Sequence, residues 1–222
     1  MQALEPKLRA GLVALELTLS ESQVCALLDY LALIQKWTKV YNLTAVRDPA
    51  EMLTHHLLDS LAVVGPLRRQ LAMLPLASGA GQLRLLDVGS GAGLPGVVIA
   101  ICCPEIRVDC VDTVGKKAAF IQQVAVTLKL PNLCGVHARV EQLTDKYQVI
   151  SSRAFASLLD FTNWSRQALI ERGVWMAMKG KHPADELAAL PSDVQVFHVE
   201  HLIVPGLIAD RCVVWLRHVA IT

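Results

Sequence analysis

Leu85-Leu86-Asp87-Val88-Gly89-Ser90-Gly91-Ala92-Gly93-Leu94-Pro95-Gly96 is the stretch on which the reading of this chain turns. A short apolar run, Leu83 to Val88, ends in closely spaced glycines. A second apolar run, Leu94 to Cys103, follows and reads as a helix. A glycine-rich turn between a strand and a helix lets backbone approach a ligand closely. In an open α/β sheet, ligands sit outside the carboxyl ends of the strands, where this turn falls.

Downstream, strand and helix patterns alternate. Arg107 to Val111 reads as a strand, Lys116 to Leu130 as a helix, and Cys134 to His137 as a strand. Gln148 to Ser151 reads as a strand, Leu158 to Ile170 as a helix, and Val174 to Met178 as a strand. Such alternation implies βαβ crossovers and a parallel sheet. Val194 to Val204 and Arg211 to Val219 read as two strands joined around Pro205-Gly206, a hairpin that ends the sheet with an antiparallel strand. The expected fold is a doubly wound, mostly parallel, seven-stranded, Rossmann-like α/β sheet.

Upstream, residues 1–80 read as a helical region, and residues 83–222 as the cofactor-binding domain, the whole forming one compact unit. Ser20 and Gln23 make a capping box ahead of Val24, Leu27, Leu28, Leu31 and Ile34 at helical spacing. Pro49 starts a further helix, with Leu53, His56, Leu57, Ser60, Leu61 and Val64 on one apolar face. Pro75, Gly79 and Gly81 mark a loop over residues 75–82.

Two cofactors compete for the glycine turn. Gly91-x-Gly93-x-x-Gly96, with Asp112 following at the end of the second strand, satisfies a dinucleotide pattern. Asp87 argues against it, because a pyrophosphate needs helix N-terminal amides and no neighbouring carboxylate. A cofactor with an ammonium and a sulfonium gains from one, and Asp-x-Gly-x-Gly-x-Gly is the pattern associated with S-adenosylmethionine. Asp112 either accepts ribose hydroxyls or caps the helix ahead of Lys116. Val140 and Glu141, after the third strand, either read the adenine or simply start a helix.

Composition bounds the rest. Apolar residues make up 53% and charged residues 18%, which excludes disorder of the whole chain. A net charge of +1 says nothing about partners. Six cysteines without CxxC spacing read as buried thiols, and no metal site is expected. Neither a signal peptide nor a membrane span is expected, since Met1–Leu17 carries Glu5, Lys7, Arg9 and Glu16 and the longest apolar run is too short.

Several blocks together resemble one family. They are Tyr41–Arg47, His56–Ser60, Asp87–Gly96, Ser152–Ser157 and Lys179-Gly180, in matching order along nearly the whole chain. They resemble the RsmG family, formerly called GidB. Thr113, Ser151 and Met178 are small departures that touch no proposed contact. The resemblance implies a bacterial cytoplasmic enzyme that methylates N7 of one guanosine in the 530 loop of 16S ribosomal RNA, free or in the small subunit. It implies contacts to S-adenosylmethionine at Gly89, Leu94, Val140, Glu141 and Arg153. To these the glycine pattern adds Asp87, Gly91 and Asp112. Arg153 is expected to orient the cofactor carboxylate or guanine O6; otherwise it is a surface ion pair.

Guanine N7 carries a free lone pair, so no general base is required and none stands out. Arg47, Lys116 and Lys179 are the basic residues expected at the RNA, among dispersed Lys36, Lys39, Arg68, Arg69, Lys117 and Lys181. Trp37, Tyr41 and Phe155 could stack on an extruded base, although Trp37 is spaced as a core residue. His55 and His56 read as a capping and packing pair. A monomer is expected. The rivals are a methyltransferase with a protein or small-molecule acceptor, an NAD-dependent oxidoreductase, and an RNA-binding module without turnover.

Overall fold

The computed structural model describes residues 2–73 and 82–219. The loop expected over residues 75–82 lies almost entirely outside them.

The strands are β1 (Arg84–Val88), β2 (Arg107–Asp112), β3 (Leu133–His137), β4 (Tyr147–Arg153), β5 (Leu169–Lys179), β6 (Val194–His201) and β7 (Cys212–His218). They form one seven-stranded sheet in the order β3-β2-β1-β4-β5-β7-β6. β1, β2, β3, β4 and β5 pair in parallel, and β7 runs antiparallel between β5 and β6. The expected doubly wound sheet and its antiparallel end are both present. β1 is apolar on both faces because both are covered, with Leu85 and Leu86 fully buried. The order reverses at β1, so the turn after β1 opens at the switch point of the sheet.

The helices are α1 (Glu5–Ala14), α2 (Glu21–Tyr41), α3 (Pro49–Met52), α4 (Asp59–Leu61), α5 (Val64–Met73), α6 (Gly96–Cys102), α7 (Gly115–Thr127), α8 (Leu158–Ser165) and α9 (Ala184–Ala188). The Ser20–Gln23 capping box opens α2, and Asp48 caps α3 through the amides of Ala50 and Glu51. A π-helical stretch, Leu53–Leu58, joins α3 to α4. Leu27, Leu31, Ile34, Leu53 and Leu57 share one apolar cluster with Leu85, Val97 and Ile121. The N-terminal helices therefore pack into the core of the sheet domain.

Three sequence-based boundaries need correction. The helix expected from Leu94 begins at Gly96, because Gly93 and Leu94 close a tight turn by donating to the Ser90 carbonyl. The helix expected to run to Ile170 ends at Ser165, and a short 3-10 turn leads into β5 at Leu169. Exposed Glu171 and Arg172 interrupt the apolar pattern there and hide the start of the strand. The short helix α9 has no buried residue and left no periodic signal.

Candidate cofactor and RNA cleft

The turn after β1 is held by its own polar groups. Gly89, Gly91 and Gly93 have φ of 64°, 59° and 89°, values that favour glycine. The amides of Gly89 and Ser90 donate to the Val111 carbonyl, those of Gly93 and Leu94 to the Ser90 carbonyl, and that of Val97 to the Gly93 carbonyl. The Gly91 amide donates to Asp112 Oδ2 at 3.0 Å, and the Gly96 amide to Asp87 Oδ2 at 3.0 Å. The amides that would cradle a pyrophosphate are thus already taken, which argues against the dinucleotide reading. A Cβ at Gly91 would meet nothing nearer than the Gly89 carbonyl at 4.0 Å, so a ligand can reach the backbone there.

Two adjoining hollows lie on this turn and share Gly89 and Ala154. The first, about 450 Å³, is lined by Gly89, Asp112, Lys117, Val140, Glu141 and Phe155 among others. The second, about 500 Å³, is lined by Gly91, Leu94, His56, Asp59, Arg153 and Arg211 among others. Each lies in the size range of small-ligand sites, about 300–1,000 Å³. The N-terminal helical region supplies one wall of the second hollow through Leu43, Thr44, His55, His56 and Asp59.

The structure brings Gly89, Gly91, Leu94, Asp112, Val140, Glu141 and Arg153 to these hollows. Asp112 does not cap the next helix with its side chain. Oδ1 accepts the Val114 amide at 2.8 Å, Lys117 stands 3.6 Å away, and both oxygens keep a lone pair for a hydroxyl. This donor set fits the adenosine end of S-adenosylmethionine.

Asp87 is different. It is 0% exposed and lines neither hollow; Ser151 Oγ donates to its Oδ1 at 2.8 Å. Burial pushes its carboxyl up to about 6, against the pull of the Ser151 and Gly96 donors. The carboxylate ties β1 to the start of α6 and to β4. Burial places it behind the turn, where the sequence reading expected a direct contact with a cationic cofactor.

Arg153 is a half-buried ion pair inside the cleft. Its Nη1 donates to Asp59 Oδ2 at 2.7 Å and to the His55 carbonyl at 3.0 Å. His56 Nε2 lies 2.8 Å from Thr44 Oγ1. Burial, helped by the Arg153 charge, lowers the His56 pKa to about 4 and keeps the imidazole neutral.

Two of the three basic residues expected at RNA, Lys179 and Arg47, are hydrogen-bonded within the chain. Lys179 lines the second hollow, but its ammonium donates to Glu186 at 2.7 and 3.0 Å and to the Ala156 carbonyl at 2.9 Å. Those three acceptors match its three protons. Arg47 donates to the Thr38 carbonyl at 2.9 Å and to Asn42 Oδ1 at 2.6 Å, closing the end of α2. Lys116 is exposed, with its ammonium 5.4 Å from the Tyr41 ring centroid. Trp37 packs against Phe120 and Tyr41, as its spacing suggested. Phe155 sits in the first hollow, edge-on to Phe161 and Trp164, and a Cβ on Gly89 would overlap its ring.

Sequence reasoning missed Tyr30, Asp59, Arg211 and Glu186. Tyr30, fully buried in α2, donates to the Ala92 carbonyl at 2.6 Å and props the glycine turn from below. Asp59 stood inside the His56–Ser60 block, where its isolation among apolar residues was the available signal. Arg211 carried no local signal. Among the described residues no group of His, Cys, Asp and Glu could hold a metal ion, and no helix is long and apolar enough to cross a membrane.

Comparison with known proteins agrees with the geometry. A family model described as rRNA small subunit methyltransferase G (GidB) matches residues 23–214. Ribosomal RNA small subunit methyltransferase G of Albidiferax ferrireducens is 69% identical over 224 residues, covering 100% of both chains. The protein of the same name from Acidovorax sp. (strain JS42) is 69% identical over 217 residues, covering 97% of this chain and 96% of its own. Among solved structures, TrmN from Thermus thermophilus is similar with a TM-score of 0.53 at 18% identity, over 75% of this chain and 53% of that one. The ribosomal protein L11 methylase from Lactobacillus delbrueckii subsp. bulgaricus is similar with a TM-score of 0.52 at 14% identity, over 72% of this chain and 78% of that one. At those identities the two structures speak to the fold alone: a methyltransferase sheet. With the family model spanning most of the chain and relatives this similar along its full length, the chain belongs to the rRNA small subunit methyltransferase G (GidB) family.

Proposed function

We propose that this protein transfers a methyl group from S-adenosylmethionine to N7 of a single guanosine in the 530 loop of bacterial 16S ribosomal RNA. The observation that carries the reading is the pair of hollows that meet at Gly89 and Ala154, one with Asp112 and Glu141 beside Lys117 and Arg139, the other with the guanidinium groups of Arg153 and Arg211. S-adenosylmethionine supplies an electrophilic methyl group on a sulfonium.

The chain's own residues bind and orient. Asp112 accepts the ribose hydroxyls, while buried Val140 and the neighbouring Glu141 border the adenine. Gly89, Gly91 and Leu94 let the backbone close on the methionine end, and Arg153 receives its carboxylate. Asp87 holds the turn in shape from behind. Guanine N7 attacks with its own lone pair, so the cleft has no proton to remove, and neutral His56 adds no positive charge beside the developing cation. The work left to the protein is in-line placement, worth up to about 7–11 kcal/mol in well-oriented systems.

The helical residues 2–73 and the sheet act as one unit, since the second hollow needs both. The same reading puts the protein in the bacterial cytoplasm as a monomer, acting on 16S RNA or the small subunit.

The test is transfer of tritiated methyl from S-adenosylmethionine to 16S RNA, and to small subunits, from a strain lacking the enzyme. Label at N7 of one guanosine in the 530 loop is expected. No incorporation into any form of the RNA, with cofactor binding proven by calorimetry, would hand the cleft to a protein or small-molecule acceptor.

A further inference from the structure

Asp59 is 3% exposed and carries two arginines on one carboxylate. Arg153 Nη1 reaches Oδ2 at 2.7 Å and Arg211 Nε reaches Oδ1 at 2.7 Å. Two guanidinium charges against one carboxylate leave a net +1 in the second hollow. The other cation there, Lys179, is neutralised by Glu186. Arg211 Nη1 donates to the Asp210 carbonyl at 2.8 Å, and Nη2 has no partner among the described residues.

The order of strands separates the two arginines. Val88 at the end of β1 pairs with Ser152, so Arg153 stands beside Gly89. Met178 pairs with Arg153, and Lys179 in turn pairs with Cys212, which places Arg211 two strands further from the glycine turn. Arg153 thus stands beside the glycine turn and Arg211 away from it, with Asp59 holding both from the N-terminal helical region.

From this arrangement we infer that Arg211 is an anion seat on the acceptor side, taking a backbone phosphate of the RNA strand, and that Asp59 is the positioning residue that aims it. A guanidinium held at Nε by a buried carboxylate and at Nη1 by a backbone carbonyl presents its remaining Nη2 donors in a fixed direction, where a phosphate oxygen can accept them. The inference rests on RNA entering this cleft.

The experiment is binding of a labelled 16S fragment containing the 530 loop across a salt series, with S-adenosylmethionine affinity measured in parallel by calorimetry. For Arg211→Gln we expect RNA affinity to fall about tenfold, as for loss of one charge-assisted contact. We also expect the slope of log affinity against log salt to shrink by about 0.7–0.9. Cofactor affinity should stay within about twofold of the parent, a change of under 0.5 kcal/mol. Arg211→Lys keeps the charge but not the guanidinium, and weakened RNA affinity with the parental slope is expected should the glutamine variant fail to fold. RNA affinity and slope equal to those of the parent would overturn the assignment. So would a loss of cofactor affinity with the RNA slope intact, since the anion would then be the cofactor's carboxylate. A parent protein whose RNA binding ignores salt would sink the RNA reading itself, a different failure from an intact parental slope that the variant leaves unchanged.

Discussion

Asp87 accepts the amide of Gly96 at 3.0 Å, across nine residues of chain, and so occupies the first amide of α6. A second bond, from Ser151 Oγ at 2.8 Å, ties the same carboxylate to β4. The glycine turn is therefore braced from inside the sheet by a fully buried group.

This brace has a pH signature. Burial raises the Asp87 carboxyl to about 6 from an ordinary value of 3.8. Between those values the folded chain holds a proton that the unfolded chain has released. Stability from this group therefore falls as pH rises from about 4 to about 6 and is level above. Asp87→Asn cannot titrate. Its unfolding free energy should gain about 2 kcal/mol on the parent between pH 4 and 7. Urea unfolding at those two pH values measures the difference; a constant offset would mean that the buried carboxyl titrates in its usual range.

Glycines of one loop should fail differently. A Cβ at Gly96 would overlap Cys110 Sγ and approach Asp87 Oδ2 to 2.9 Å, so Gly96→Ala should cost about 1–3 kcal/mol of stability. Gly91 has open space but a φ of 59°, so Gly91→Ala should cost about 1 kcal/mol. Gly91→Val puts a branched Cβ into the cleft and should abolish calorimetric binding of S-adenosylmethionine. An unchanged affinity would remove Gly91 from the cofactor site.

Tyr30 supports the loop from a helix that the glycine pattern does not include. Tyr30→Phe leaves the Ala92 carbonyl without its 2.6 Å donor in a buried setting and should cost about 1–3 kcal/mol. Cofactor binding should weaken in parallel, because the turn loses its prop. A stability loss with cofactor affinity unaltered would separate the prop from the site.

Lys179 provides the converse test of the basic residues. Its protons are taken by Glu186 and the Ala156 carbonyl, so Lys179→Met should leave the salt slope of RNA binding at the parental value. Melting should register the lost pair at about 1 kcal/mol. A slope smaller by about 0.7–0.9 would return Lys179 to the phosphate contacts.

The local pattern of the chain determined the alternation of strands and helices, the glycine turn and the antiparallel end of the sheet. Period, caps and glycine positions are properties of neighbouring residues, so Ser20 and Gln23, or Gly89 through Gly96, declare themselves in a linear reading. The cofactor class was legible through the pattern that Asp87 opens, whereas only the folded chain shows that its carboxylate is buried and takes the Gly96 amide and the Ser151 hydroxyl. What tertiary structure alone decided is which charges are free. Lys179 looks available in sequence and is saturated by Glu186 and the Ala156 carbonyl, while Arg47 keeps its charge but spends two of its donors on the end of α2. Arg211 looks ordinary and reaches Asp59, 152 residues away. Ion pairs between distant segments leave no spacing rule to read, because the partner is chosen by where the sheet order and the helix wall bring the side chains together.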